Sequence, residues 1–564
     1  MQRGPSVTTE GPALFTPTLS PLLLQPCVRG PAFYRWARLL VFCSALAVSD
    51  AQEVAGGPNP VATRTDEAEP TWLIQEYRVQ GVRHLSREQV EDAVYPFLGP
   101  GRSRADLEMA RAALEKAYRD SGLNTVAVQL PEQSVRNGLI VLQVVEASVA
   151  RLRVVGAKYS SPAKIKAMAP SLAEGKVVNF NQVPREIVAL NQQPDRRVTP
   201  TLRAGAAPGT VDVDLNVTES SPLHANVELN NRRSAHTSSL RLNGSFTDNN
   251  FLQRGDSLGL SFQVAPQRMD DAKVFSAFYL TRLPTASGLS LMVQGTKQDS
   301  NVSTLGGAAV TGRGETAGVR AILRLPAGKD FYESLSLGVD YKHFDQTLRI
   351  AGTSIVAPIT YYPLTANYNG TLVGTGRETD FSLGATLHVR GLGSDPAAFD
   401  TRRYRADGGF AYLRGEVSHL HELVRGFQIF GKGQGQLASG PLLDSEEFSG
   451  GGLATARGYL ESEVVGDNAL FGSLELRSPA LGKSISSKLN EWRVYVFTDG
   501  GWVTIRDALP QQHARLYLAS YGAGSRFRLD DHFNGSLEAG FPLIGQGESK
   551  PNDVRFTFRL WADF

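Results

Sequence analysis

The 564-residue sequence has almost no net charge, with 58 Lys and Arg against 56 Asp and Glu. It therefore carries no basic footprint for nucleic acid and no acidic bias toward cationic substrates. Its only cysteines, Cys27 and Cys43, both lie near the N-terminus. Once that region is removed, no thiol remains for a disulfide or a thiolate metal site. Nine scattered histidines show no metal-ligand spacing. No apolar run approaches the roughly 20 residues that a spanning helix needs. The stretch "RGDSLGLSF" (254–262) contains Gly-Asp-Ser-Leu, but no matching Asp-x-x-His follows, since "LDDH" (529–532) has the wrong spacing; Ser257 is read as the start of a strand. "GKGQGQ" (431–436) lacks the Gly-Lys-Ser/Thr end of a phosphate-cradling loop. With no catalytic constellation, cofactor site or metal site, an enzyme is not expected.

What is present begins with an export signal. Arg35-Trp36-Ala37-Arg38, the apolar run "LLVFCSALAV" (39–48) and the small residues Ser49 and Ala51 form a positive region, a short apolar region and a cleavage site. Cleavage is expected after Ala51, so residues 1–51 are read as an N-terminal extension and signal peptide. Phe42 before Cys43 speaks against lipidation. Residues 52–71, with "GGPNPVATRTDEAEP" (56–70), form a linker.

Two mixed α+β modules follow. In the first (72–147), "IQEYRVQG" (74–81) is strand-like, and Ser86 with Gln89 forms a capping box opening a helix to about Leu98. A second helix starts at Ser103 with Asp106, aligns Leu107, Ala110, Leu114 and Ala117 on one face, and stops at Gly122. "TVAVQL" (125–130) and "GLIVLQVVEA" (138–147) are strands. The second module (148–219) repeats this order: "VARLRVVG" (149–156), a helix from Ser161-Pro162, another capped by Asn179 and Gln182, then two strands.

Residues 220–564 lose the helical period and alternate instead. In the last strand Val554, Phe556, Phe558, Leu560, Ala562 and Phe564 share one face, while Arg555, Thr557, Arg559 and Asp563 share the other. Alternation alone is equally that of a soluble sandwich. Persistently hydrophilic or glycine positions on the inward face suit a wet lumen and would ruin a dry core. At about 20 residues per strand and connection, this length holds about 16 strands of a closed barrel, which leaves no edge amide unsatisfied in lipid.

Within that wall, "WRVYVFTD" (492–499) puts Trp492, Val494, Val496 and Thr498 outward and Arg493, Tyr495, Phe497 and Asp499 inward. A carboxylate inside a closed cylinder needs a cation. Arg457 lies in the glycine-rich loop "FSGGGLATARGY", where Gly450, Gly451 and Gly452 relax the backbone for an inward fold and Gly458 permits close approach to the wall.

The motifs "TARGY" and "FTDGG", with the tandem modules, the turn in "NQQPDRRVTPTLRAGAAPGTVDVDLNVTE" (191–219), "LDSEEFSGGG", "GDNALFGSLELRSP" and the terminal aromatic strand, resemble two-partner-secretion outer-membrane transporters of the haemolysin secretion/activation type. The likeness spans about residues 72 to 564. It implies tandem polypeptide-transport-associated (POTRA) domains in the periplasm, followed by a transmembrane antiparallel β-barrel in the outer membrane. It also implies an inward loop whose Arg457, Gly458 and Tyr459 meet a wall motif of Phe497, Asp499 and Gly501, with Arg457 and Asp499 paired in the lumen. Ala456 stands where many members have valine. Phe564 falls at the barrel-closing position that the barrel assembly machinery reads. The implied partner is a secreted exoprotein with an N-terminal secretion domain, captured by the POTRA domains and threaded through the pore as the loop rearranges. In this family an N-terminal helix often plugs the pore; Pro58, Pro60, Pro70, Gly56 and Gly57 argue against such a helix in residues 52–71. A barrel assembly or insertion factor shares the loop motif but usually carries more periplasmic domains. A surface adhesin or uptake receptor would need a plug domain or coupling motif, and neither is seen.

Overall fold

The computed structural model describes residues 70–135, 137–283, 288–305, 308–325, 328, 330–350 and 353–564. The leader, the cleavage point after Ala51 and nearly all of the linker lie outside them. The chain divides between Ser220 and Ser221 into two compact units.

The first unit contains β1 (Trp72–Ile74), β2 (Glu76–Gln80), α1 (Arg87–Val94), β3 (Gly99–Arg102), α2 (Arg104–Asp120), β4 (Val126–Gln129), β5 (Leu139–Glu146), β6 (Ser148–Val155), α3 (Pro162–Ala167), α4 (Val183–Leu190), β7 (Arg196–Ala204) and β8 (Thr210–Glu219). Both capping boxes form as read from the sequence, Ser86 with Gln89 and Ser103 with Asp106. The first helix is shorter than expected, because Pro96 ends the α geometry and Tyr95–Phe97 tighten into a 3₁₀ turn. Asn179 does not cap α4; its side chain accepts from the Asn181 amide at 2.9 Å, while Gln182 sits at the N-cap with its side chain turned to accept from the Ser171 hydroxyl at 2.9 Å instead of capping. The sheets have matching orders, β2-β5-β4 and β6-β8-β7, each with a parallel pair on one side of the central strand and an antiparallel pair on the other. Pro200 is accommodated because β7 is an edge strand.

The repeat extends to single residues. Gly81 ends β2 at φ +89° with the Val144 carbonyl where a Cβ would lie, and Gly156 ends β6 at φ +89° against the Val217 carbonyl. Two residues beyond each carbonyl stands a glutamate that binds the loop after that glycine. Glu146 accepts the Arg83 and His84 amides at 2.8 and 3.1 Å. Glu219 accepts those of Lys158 and Tyr159, both at 2.7 Å. Burial opposes the Glu146 charge, but the amides, the His84 ring and the Tyr118 hydroxyl outweigh it and hold its carboxyl below the usual range. A lowered carboxyl contributes stability above its unfolded-state pKa and loses it as the pH falls through the folded value. Glu146→Gln is accordingly expected to cost the first module about 2 kcal/mol at neutral pH, the scale of hydrogen bonds to a charged group. The difference should hold above about pH 5 and shrink below the ordinary glutamate value of about 4.3. Thermal melts of the N-terminal unit across pH would check this.

The second unit is one closed antiparallel barrel. Its strands are β9 (Leu223–Asn230), β10 (Arg241–Phe251), β11 (Asp256–Val264), β12 (Ala272–Arg282), β13 (Leu289–Leu305), β14 (Ala308–Arg324), β15 (Phe331–Ile350), β16 (Thr353–Tyr361), β17 (Leu364–Gly374) and β18 (Arg377–His388). After α5 (Pro396–Arg402) come β19 (Phe410–Glu422) and β20 (Gln428–Ala438). The hairpin β21 (Phe448–Gly450) and β22 (Val464–Gly466) belongs to a loop, and β23 (Asn468–Arg477) resumes the wall. Then follow α6 (Gly482–Ile485), β24 (Leu489–Thr504), β25 (Arg515–Leu529), β26 (Phe533–Pro542) and β27 (Arg555–Asp563). Both β16 and β17 pair with β15, end to end, so they fill one position and the wall has 16 strands. The break falls at Tyr362-Pro363, where proline has no amide to give the ladder.

Side chains obey the alternation along each strand. Leu260, Leu337, Val496 and Leu537 stand more than half exposed on the outside, while Glu228, Asp340, Glu475 and Arg559 are buried inside. An apolar belt of this extent without a protein partner is a lipid-facing surface. No helix among the described residues is long and apolar enough to cross a membrane. Closure is made by β27 against β9, from Arg559↔Asn230 to Asp563↔Asn226. One further reciprocal pair of backbone bonds joins Ala225 and Phe564, at 3.0 and 2.8 Å.

Candidate functional site

The connection between β20 and β23, residues 439–467, does not leave the barrel. It folds into the lumen and carries Arg457, 6% exposed, onto the wall. The alternation of β24 places Asp499 inward, and the two meet in a bidentate pair: Nε to Oδ2 at 2.8 Å and Nη2 to Oδ1 at 2.7 Å. The Arg457 amide also donates to Asp499 Oδ2 at 2.9 Å, so the carboxylate fixes the backbone as well as the side chain. Nη1 donates to Glu475 Oε1 on β23 at 2.5 Å, and Nη2 to Ser473 Oγ at 3.0 Å. The guanidinium plane lies over the Phe497 ring, 3.6 Å from its centroid. The edges and one face of the cation are thus occupied by two adjacent strands of the wall, β23 and β24.

The other predicted motif residues have distinct places. Gly458 adopts φ +92° with its α-carbon against β26: a Cβ would lie 3.0 Å from the Gly540 carbonyl carbon and 3.2 Å from the Phe541 amide nitrogen. The Tyr459 hydroxyl is 2.8 Å from both the Ala519 and the Ile544 carbonyls, anchoring the tip to β25 and the end of β26. Gly501 does not touch Arg457; it leaves room for the Phe471 ring of the neighbouring strand, whose Cδ1 a Cβ would meet at 2.4 Å. Phe497 in turn covers Gly522 across the ladder. Phe564 is remote from this cluster, stacking on His532 with ring centroids 5.7 Å apart at the barrel seam.

Several participants were not anticipated. Glu475 sits within the quoted "GDNALFGSLELRSP" and pairs in register with Phe497, so strict alternation places it inside. Glu461, four residues beyond Arg457, binds Arg232 just past β9, with Nε to Oε1 at 2.7 Å. Glu463 accepts the Leu460 amide at 2.9 Å and the Ser549 hydroxyl at 3.0 Å. At the base of the loop Glu446 accepts from Lys342, Tyr361 and Tyr412, on β15, β16 and β19. The loop is therefore held from several sides, and its Arg-Gly-Tyr tip lies beside both strands of the seam: Arg555 Nε donates to the Gly458 carbonyl at 3.2 Å, and the Glu461 amide to the Arg233 carbonyl at 3.0 Å.

Because Gly458 combines a left-handed backbone with contact to the wall, Gly458→Ala is expected to lift the tip. The left-handed conformation alone costs about 1–2 kcal/mol for a residue with a Cβ. The check is proteolysis of the folded protein, in which cleavage within 450–466 should appear in the variant and not in the wild type.

Comparison with known proteins agrees with this geometry. The family model described as haemolysin secretion/activation protein ShlB/FhaC/HecB matches residues 209–527, more than half of the chain, and that of the ShlB-type POTRA domain matches 72–147. Among solved structures, CdiB from Escherichia coli is 19% identical at a TM-score of 0.55, covering 90% of this chain and 93% of that one. CdiB from Acinetobacter baumannii is 17% identical at a TM-score of 0.52, covering 91% and 95%. BamA from Haemophilus ducreyi lacking POTRA domains 1-3 is 17% identical at a TM-score of 0.52, covering 87% and 100%. At these identities the likeness establishes the fold. No curated protein matches. A ShlB-type POTRA domain, a closed barrel of 16 strands and a family match over most of that barrel together show that the chain belongs to the ShlB/FhaC/HecB family of haemolysin secretion/activation proteins, translocators of the outer membrane with POTRA domains in the periplasm.

Proposed function

We propose that the protein exports a single secreted exoprotein by two-partner secretion. Residues 148–219 act as a second POTRA domain, as the matching strand order and the paired glycine and glutamate positions support. The exoprotein's N-terminal secretion segment adds as an extended strand to a free edge of these sheets, beside a helix, where main-chain bonds supply affinity and side-chain pockets supply selectivity. The chain then passes through the barrel, and folding outside the cell biases its motion. The Arg457 and Asp499 pair acts as a latch that sets the position of the 439–467 loop in the lumen.

The observation that carries this reading is the interior itself: a lipid-facing cylinder whose inside is polar and whose longest loop is pinned to one wall by a buried arginine. Deleting the gene and comparing proteins in the medium tests it. Loss of one large protein, with other outer-membrane barrels at normal levels, is the expected result. A general fall in outer-membrane barrels would instead point to a barrel assembly or insertion factor, the second function that shares this fold.

A further inference from the structure

The lumen has two chemically different sides. On the side of β23 to β27 the inward residues are ion-paired and sealed: Glu475, Asp499, Glu538 and Arg559 are each no more than 7% exposed, beneath the docked loop. On the opposite side, three consecutive registers of β15, β17 and β18 carry no charge. In register, Ser334 pairs with Asn369 and Asn369 with Ser382, while Ser336 pairs with Asn367 and Asn367 with Gly384. Asn367, Asn369 and Ser382 are only partly buried, so they border open lumen. Ser334, Ser336 and the Thr365 hydroxyl are buried, and the last has no hydrogen-bond partner among the described residues. Charges flank these registers: at one end Asp340 pairs with Arg320 at 2.9 Å and Lys342 with Glu446, and at the other stand Glu378 and Asp380, the latter bonded to the Thr371 hydroxyl at 2.7 Å.

We infer that the β15 to β18 wall is the track on which an unfolded polypeptide passes, the base of the loop leaving its Glu446 contacts with β15, β16 and β19 while the tip stays latched to β23 to β26. An extended chain leaving water must exchange backbone hydrogen bonds along its path. Hydroxyl and amide side chains offer replaceable partners of about 1 kcal/mol each, whereas unscreened charges would hold opposite-charge segments and reject like-charge ones. Passage requires binding that is favourable enough to enter and weak enough to leave, repeated at several sites. The ladder supplies that repetition. The inference rests on the secretion-pore reading but adds to it a surface, and it makes release of the Arg457 latch unnecessary for transport.

The test uses the full chain in planar bilayers, with a neutral unstructured peptide of glycine, serine and asparagine as the probe. Cys27 and Cys43, the two cysteines of the chain, are replaced by serine throughout, so single thiols report one position each. Asn367→Cys and Ser382→Cys are compared with Thr557→Cys, an inward and partly buried position of β27, after a bulky methanethiosulfonate reagent, with heat-modifiable gel migration verifying a folded barrel. Modification at 367 or 382 is expected to reduce peptide-induced current interruptions about tenfold, with Thr557→Cys keeping them. Loss of interruptions at Thr557→Cys with retention at 367 and 382 would overturn the track. An open unmodified channel that never responds to peptide would overturn the secretion-pore reading itself, a result distinct from a misplaced track.

Discussion

Arg457→Ala is expected to lower export by roughly tenfold or more while the barrel accumulates normally in the membrane, because removing one partner of a buried ion pair costs about 3–5 kcal/mol locally. The guanidinium serves Asp499, Glu475 and Ser473 at once and lies 3.9 Å from Glu538. Alanine would leave three wall carboxylates in a confined space with the cation between them gone, although Glu475 keeps Arg477, and the loop tip would lose its charged anchor. Asp499→Ala is expected to be milder, since Arg457 keeps Glu475 and the Phe497 face. Arg457→Lys should fall nearer to alanine than to wild type, because an ammonium cannot make the bidentate pair. Barrel assembly should survive all three, as the 16-strand ladder does not depend on the loop. The measurements are exoprotein in the medium against heat-modifiable barrel in the membrane fraction. Normal export by both alanine variants would remove the latch from the mechanism.

Deletion of Phe564 is the second large effect, and it falls on assembly rather than transport. The residue ends the seam with two backbone bonds to Ala225 and packs its ring on His532 and Phe533. Seam amides left without partners at a membrane surface are costly, several kcal/mol for each group that reaches hydrocarbon. Loss of the residue should therefore reduce folded barrel several-fold, both in cells and on refolding into detergent. Phe564→Ala separates two roles. It keeps the backbone pair and forfeits only the ring contacts, about 0.5–1.5 kcal/mol, so refolding should be nearly normal. A pronounced drop confined to cells would mark the ring as a signal read by the assembly machinery. Equal yields of Phe564→Ala and wild type in cells would leave the residue a closing role alone.

The pairing of Arg457 with Asp499 was legible because the family resemblance named the two positions and two constraints agreed with it. Period-two alternation set the direction of Asp499, and three glycines gave the loop freedom to turn inward. The capping boxes of the first module were equally readable, since a capping box is a contact between residues three apart, whereas the Asn179 cap expected in the second does not form. Contacts that join distant strands were not legible in the same way. Arg232 and Glu461 are 229 positions apart, and only closure of the barrel brings the end of β9 beneath the loop tip. Gly501 was grouped with the latch by its motif, yet its role is to admit the Phe471 ring, a matter of cross-strand register that no local pattern encodes.

By itself, the order of residues determined the alternation of faces, the approximate number of strands, the repeated modules and the inward direction of Asp499. Each follows from spacing along one chain, through the two-residue pleat, the helical turn and the capping contact. Which wall the loop occupies, which carboxylates share its arginine, and which side of the lumen stays open and uncharged were decided only when β27 met β9. Closing a sheet fixes every strand's neighbours at once, and neighbours across the lumen have no sequence distance by which they could be read.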